Sequence, residues 1–169
     1  EGTPAHGEII AWFRTLPLFL DLGDIRVVHA WWHPPYIERL RPLLGQGNVL
    51  TDELLLTSHR GATEEFCAVQ GLLKGLEVSL PDGFAFSDKD GALRRETRAR
   101  WWGAAPRTYR EAAMVADEHL AFIPDHPLPE GIPLGIEQHG SVPVFIGHYW
   151  LTGTPGVQNA TTAVLDYGA

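Results

Sequence analysis

Two histidines each follow a short apolar run that is typical of a β-strand. His29 comes directly after residues 25–28 (Ile-Arg-Val-Val), and His148 comes after residues 142–147 (Val-Pro-Val-Phe-Ile-Gly). A histidine at the end of a strand places its imidazole at the carboxyl edge of a sheet, where ligands collect in α/β folds. Neutral imidazole is the commonest metal ligand, so the pair could hold one ion. The alternative is that each is a core or strand-end histidine with its own hydrogen-bond partner.

The histidine segments and an arginine-bearing segment follow the order of a known family. Val27-Val28-His29-Ala30 and Phe145-Ile146-Gly147-His148-Tyr149-Trp150 resemble the last two metal-ligand motifs of the calcineurin-like metallophosphoesterases. Residues 97–102 (Thr-Arg-Ala-Arg-Trp-Trp) are similar to a segment of the bacterial serine/threonine protein phosphatase and diadenosine tetraphosphatase branch. Trp150 stands where many members carry a second histidine, which points to the same branch. Supporting landmarks occur at residues 12–18, 72–75, 86–91 and 165–167.

The resemblance implies a metal-dependent phosphatase, a hydrolase acting on phosphomonoesters, phosphoproteins or dinucleoside polyphosphates. In that family two divalent metal ions activate a hydroxide for attack on phosphorus and neutralise the developing charge. By resemblance, His29 and His148 would ligate the same one of these two ions. A ligand set of Asp, Asn and His suits manganese, iron, zinc or cobalt rather than calcium.

Three further motifs of the family do not occur in this sequence: Asp-x-His, Gly-Asp-x-x-Asp-Arg-Gly and Gly-Asn-His-Glu/Asp. Gly47-Asn48 is followed by Val49, and we interpret it as a turn. We therefore expect residues 1–169 to form the carboxyl-terminal portion of a single metallophosphoesterase domain, without its amino-terminal half. Such a chain would bind at most one of the two ions, and weakly. Its expected partners are a phosphorylated substrate and either the amino-terminal half or a second copy of itself.

The absence of these three motifs also supports a second hypothesis, of a different functional class. The chain could be a catalytically inactive remnant that acts as a binding or oligomerisation module. A third reading is a mononuclear enzyme outside this family, which would need another ligand near the two histidines. The sequence offers only His33 and Asp166 for that role.

Arg98 and Arg100 are the candidates for binding a substrate phosphate, because a planar guanidinium matches phosphate oxygens bidentately. Alternation along a strand puts both on one face, so the sequence does not choose between them. The alternative is that one of them packs on Trp101 or Trp102, or pairs with Glu96.

Three further residues are candidates for lining the site. Tyr149 either lines it or packs as an aromatic after the strand. Asp166 either orients a ligating histidine, as carboxylates often do, or caps the end of a strand. His33 lies near His29, where it would touch the metal or the leaving group, but Pro34 follows it at once.

Composition limits the class of protein. The apolar share of 44% is that of a globular chain, and the net charge of −8 argues against a nucleic-acid partner. Cys67 is the single cysteine, which excludes an intrachain disulfide and suits a cytoplasmic location. No apolar run is long enough to span a bilayer, so we expect no membrane partner.

The pattern of apolar runs predicts an α/β fold. Strands are few and are separated by helices and long loops. Together with the resemblance, this predicts the second sheet and flanking helices of an α/β/β/α sandwich, with one face or edge of the sheet uncovered. Helices are predicted from Thr3 to Pro17, over 36–44, after Thr51 and after Thr63. Strands are predicted at 18–20, 25–28, 84–86, 96–102, 142–146 and 161–165, with a loop over 122–140.

Overall fold

The computed structural model describes residues 2–59, 61, 63–88, 91–134 and 140–168. They form an α/β structure with one mixed sheet and two small two-stranded sheets. The helices are α1 (Pro4–Phe13), α2 (Pro34–Leu40), α3 (Asp52–His59), α4 (Glu64–Lys74), α5 (Tyr109–Ala112) and α6 (Asp117–Leu120). The strands are β1 (Phe19–Asp21), β2 (Arg26–Val28), β3 (Glu77–Ser79), β4 (Phe86–Ser87), β5 (Leu93–Arg94), β6 (Glu96–Arg98), β7 (Val144–Ile146), β8 (Val157–Asn159) and β9 (Thr162–Val164).

The main sheet has the strand order β1-β2-β7-β9-β8. β1 and β2, where strands were predicted at 18–20 and 25–28, form an antiparallel hairpin, whereas β2, β7 and β9 run parallel to one another. In the register of these three parallel strands, Val28 lies opposite Ile146, and Ile146 lies opposite Val164. Their carboxyl ends therefore coincide, and the residues that follow β2, β7 and β9 meet at one edge.

The two faces of this sheet differ in burial. Val28, Ile146 and Val164 are buried against the core, with 1–3% of each exposed. Their sequence neighbours Val27, Phe145 and Ala163 point to the opposite face because side chains alternate along a strand, and that face is only half-buried. A more open second face agrees with the uncovered face that we expected, and the complete sandwich stays a prediction.

α1 forms where its capping residues predict it. The Thr3 hydroxyl accepts a hydrogen bond from the His6 amide at 3.3 Å, and Pro4 occupies the first turn. The apolar stripe of this helix does not pack, however, since none of its residues is buried and Trp12 is 58% exposed. α1 is thus an apolar helix with its face open to solvent.

α2, α3 and α4 pack together beside the main sheet. Thr51 and Thr63 cap α3 and α4, as predicted, through hydrogen bonds to the amides of Leu54 and Phe66. Gly75 ends α4 in a backbone conformation with φ +84°. The buried core shared by these helices and the sheet includes Leu40, Leu54, Leu72, Trp31 and Trp101.

Two parts of the predicted strand pattern were wrong. The strand predicted over 96–102 ends at Arg98, because the Ala99 and Arg100 amides donate to the carbonyls of Leu76 and Ala112 beyond the β3 pairing. Three short strands, β3, β5 and β8, were missed. Each has two or three residues and pairs with a neighbouring strand, β6, β4 or β9 respectively.

We predict that Gly75→Ala lowers the free energy of unfolding by about 2 kcal/mol, because Gly75 has a left-handed backbone and its new Cβ would collide with the Tyr149 hydroxyl. Gly156→Ala is the matched control, since a Cβ there meets open space and φ is ordinary. Urea unfolding of both variants tests this. Equal stability of the two variants would contradict the proposed contact.

Candidate functional site

An open cleft of about 670 Å³ lies at the carboxyl edge of the parallel strands. Its position follows from the strand register, because His29 follows β2 and His148 follows β7 by two residues. The Gly147 amide donates to the His29 carbonyl at 3.0 Å and extends the pairing by one step. The cleft is lined by His29, Arg98, Ala116, His148, Trp150 and Asp166.

The imidazoles of His29 and His148 are neighbours in this cleft. Their ring centres are 5.1 Å apart, and their planes are inclined by 63°. Two imidazoles that ligate one ion tetrahedrally have ring centres roughly 5 Å apart, because each metal–nitrogen bond is about 2.0–2.1 Å long. The separation of the rings therefore fits two ligands of a single ion.

The hydrogen bonding and the pKa of His148 suit a neutral metal ligand. It hydrogen-bonds the Lys74 backbone, while its buried Nε2 has no hydrogen-bond partner among the described residues. The nitrogen that faces Lys74 is therefore Nδ1, as is common for metal-binding histidines. Burial, followed by the nearby charges of Arg98 and His29, lowers the pKa of His148 to about 4. The Nε2 lone pair is thus available at neutral pH.

The carboxyl end of α4 positions both histidine segments. The last carbonyls of a helix have no partner within the helix. The Leu72 carbonyl accepts the Ala30 amide at 2.9 Å, directly after His29, and the Lys74 backbone binds the His148 ring. The same helix end therefore anchors two chain segments that are more than a hundred residues apart in sequence.

The backbone around His148 has an uncommon conformation. His148 and Trp150 have φ values of +70° and +46°, in the left-handed region that non-glycine residues seldom adopt. Such conformations cost on the order of 1 to 3 kcal/mol each and occur often at functional sites. They turn the chain sharply after β7 and direct His148 and Trp150 to the cleft.

Tyr149, which lies between these two residues, points away from the cleft into the core. It is 6% exposed, and its hydroxyl accepts a hydrogen bond from Trp101 Nε1 at 3.0 Å. Trp101 Nε1 also lies 3.1 Å from the Ala30 carbonyl. Burial raises the pKa of Tyr149. Of the two roles open to it from sequence, the structure gives Tyr149 the packed position, from which it supports His148.

His33 lies in the core and not in the cleft. Its ring stacks on Trp31, with ring centres 4.2 Å apart, and meets the edge of Tyr36 at the same distance. The residue is 8% exposed, and burial lowers its pKa to about 4. His33 is the residue before α2, which begins at Pro34, and its backbone is extended. The His33 side chain points into the core.

Arg98 and Arg100 are both exposed, while Thr97, Ala99 and Trp101 between and beside them are buried. The predicted alternation is therefore present. The two arginines differ in their surroundings. Arg98 lines the histidine cleft, whereas Arg100 lines a different cavity. Asp166 lies in the cleft after β9, and its charge favours the protonated form of His148.

Two residues of the cleft were missed from sequence. Trp150 is 64% exposed and forms part of the cleft wall. In the sequence it was noted only because it stands where many members of the resembled family carry a second histidine. Ala116 comes from the segment before α6, which carries no sequence motif that indicates a function. An exposed tryptophan next to a candidate ligand is a signal that could have identified Trp150.

The imidazole pair is an incomplete ligand set by itself. Over the ranges that the structure describes, no group of three or more His, Cys, Asp or Glu side chains could hold a metal ion.

Comparisons with family models, curated proteins and solved structures found no match to this chain. No helix within the described ranges has the length and apolar content needed to cross a membrane.

We predict that acid destabilises the protein partly through His33. The unfolded histidine takes up a proton near pH 6.5, whereas the folded one resists protonation until about pH 4. Its contribution is therefore complete above pH 6.5 and is lost as the pH falls to 4, by up to about 3 kcal/mol. His148 acts in the same direction.

The test measures the free energy of unfolding by urea at several pH values between 7 and 4. His33→Phe, which keeps an aromatic ring beside Trp31, should have a shallower decline than the wild-type protein. His33→Gln is a second non-titrating variant, expected to be less stable at every pH yet similarly shallow. A full wild-type decline in both variants would contradict the assignment to His33.

Proposed function

We propose that this chain contributes two metal ligands and a phosphate-binding arginine to the site of a metal-dependent phosphoester hydrolase. The observation that carries the proposal is the separation of 5.1 Å between the rings of His29 and His148 at the carboxyl edge of parallel strands. The unpartnered Nε2 of His148 supports it, because a buried polar atom without a partner is costly unless a ligand satisfies it. The family resemblance of the sequence supplies the reaction class.

His148 would act as a ligand through Nε2, since the hydrogen bond to the Lys74 backbone occupies its other nitrogen and fixes the ring. His29 would supply the second imidazole. A divalent ion held there would serve as a Lewis acid toward phosphoryl oxygens. The remaining ligands would come from the amino-terminal half of a family domain or from a second copy of the chain.

Arg98 would bind the phosphate group of the substrate. It lines the same cleft as the imidazoles and forms no ion pair with any residue in the described ranges. Its backbone is fixed on both sides, because β6 pairs with β3 and the Met114 amide donates to the Arg98 carbonyl at 2.8 Å. A guanidinium held in this way can offer two parallel N–H groups to a phosphate.

Trp150 and Asp166 complete the wall of the cleft. The Asp166 carboxylate counters the effect of Arg98 on His148, since its charge favours a positive imidazole. We assign Asp166 an electrostatic role at His148 rather than the binding of substrate.

An alternative function is that of a binding or oligomerisation module without catalysis. The exposed apolar residues of α1 favour it, since Ile9, Trp12 and Phe13 are each more than half exposed. Apolar surface of this kind commonly marks an interaction site. The two functions differ in one respect that can be measured, because only the hydrolase requires metal binding at His29 and His148.

We predict that the chain binds one cobalt or zinc ion weakly, and that His29→Ala or His148→Ala abolishes this binding. The two imidazoles are the proposed protein ligands in the cleft, so removal of either leaves a single one. Calorimetric titration with zinc, and the absorption spectrum of the cobalt form, measure the binding. His126→Ala is the matched control, because His126 is exposed and lies outside the cleft. Equal loss in the control, or no binding at all, would contradict the proposal and favour the binding module.

We predict that Arg98→Gln weakens phosphate binding next to the metal about tenfold, while metal binding stays within about twofold. Manganese bound at the histidines broadens the phosphorus resonance of a nearby phosphate, and most strongly that of a phosphate bound beside the metal. The variant should lose most of it, whereas Arg95→Gln, an exposed arginine outside the cleft, should retain it. Unchanged broadening in Arg98→Gln would remove Arg98 from the site.

A further inference from the structure

A second cavity of about 700 Å³ lies beside the histidine cleft, around Arg100 and Arg107. Arg100 is two residues beyond Arg98 on the same exposed side of an extended segment, so the two side chains leave the backbone about 7 Å apart. Leu151, which follows Trp150 of the cleft, also lines this second cavity. The two cavities are therefore neighbours but have different linings.

The two arginines of this cavity have no acidic partner within the described part of the chain. Arginines with ion pairs there are Arg14, Arg26, Arg39, Arg94 and Arg110. The chain has 21 acidic and 13 basic residues, so carboxylates are plentiful. Two guanidinium groups that line one cavity and remain unpaired in such a chain can offer their donors to an external anion.

The backbone holds both arginines in place. The Arg100 amide donates to the Ala112 carbonyl at 2.9 Å, and the Leu128 amide donates to the Arg107 carbonyl at 2.9 Å. The Arg107 amide donates to Glu111 Oε2 at 2.7 Å. Glu111 is the one acidic residue that lines the cavity, and this hydrogen bond occupies one of its oxygens. The lining thus keeps an excess of one positive charge, and binding needs little ordering of the backbone.

We propose that Arg100 and Arg107 form a binding site for a phosphate-bearing small molecule. Phosphate matches the planar donor pattern of guanidinium groups, and two such groups can hold a diphosphate from two sides. Pro106 and Leu151 give the cavity an apolar wall against which an organic part of the ligand can lie. The site uses none of the residues proposed for the metal, so it is independent of the hydrolase function.

The experiment is a calorimetric titration of the whole chain with inorganic pyrophosphate in the presence of EDTA. We expect one binding site, with affinity reduced about tenfold in Arg100→Gln and in Arg107→Gln, and lost in the double variant. A parallel titration with ADP distinguishes the source of the phosphate. Tighter binding of ADP than of pyrophosphate assigns an organic phosphate, and weaker binding assigns an inorganic one.

Arg95→Gln is the matched control, since it removes the same charge from an exposed position outside both cavities. It should bind pyrophosphate like the wild-type protein, and thermal melts should confirm that all variants fold. His29→Ala should also bind normally, which separates this site from the metal cleft. Failure of the wild-type chain to bind pyrophosphate, or equal weakening by Arg95→Gln, would overturn the proposal.

Discussion

The carboxyl end of α4 is the constraint on which the cleft depends. A helix leaves its last carbonyls without partners, and here they bind residues that are distant in sequence. Leu72 accepts the amide after His29, Lys74 binds the His148 ring, and Leu76, just beyond the helix, accepts the amide after Arg98. Hydrogen bonds that the helix cannot make by itself therefore join the three segments that line the cleft. Any change that moves the end of α4 should move all of them together.

The turn after β7 is held in its uncommon conformation by packing beneath it. His148 and Trp150 carry positive φ values, and Tyr149 between them is locked in the core by Trp101. The buried tyrosine occupies the space beside Gly75, where any larger residue would collide with its hydroxyl. The glycine that ends α4 and the tyrosine that follows His148 are thus one structural unit. The packing of Tyr149 therefore holds His148 and Trp150 in a backbone conformation that would be unfavourable by itself.

Three arginines of this acidic chain line the two cavities. Arg98 faces the histidine cleft, and Arg100 and Arg107 face its neighbour, while many other arginines pair with carboxylates. The negative net charge disfavours long polyanions such as nucleic acids, whereas local guanidinium groups can still bind a small phosphate. Charge distribution, rather than total charge, sets the class of ligand that this surface suits.

The sequence by itself determined the places of helices α1 to α4, four of the five strands of the main sheet, and the two histidines. Thr3, Thr51 and Thr63 predict helix starts because their hydroxyls bond nearby amides, and β1, β2, β7 and β9 follow from apolar runs. These are interactions within a few residues of the chain. Only the tertiary structure decided that Arg98 and not Arg100 joins the histidines, that His33 stacks in the core and that Tyr149 turns inward. Those outcomes depend on the register between strands and on the end of α4, which connect residues far apart in sequence and leave no local pattern.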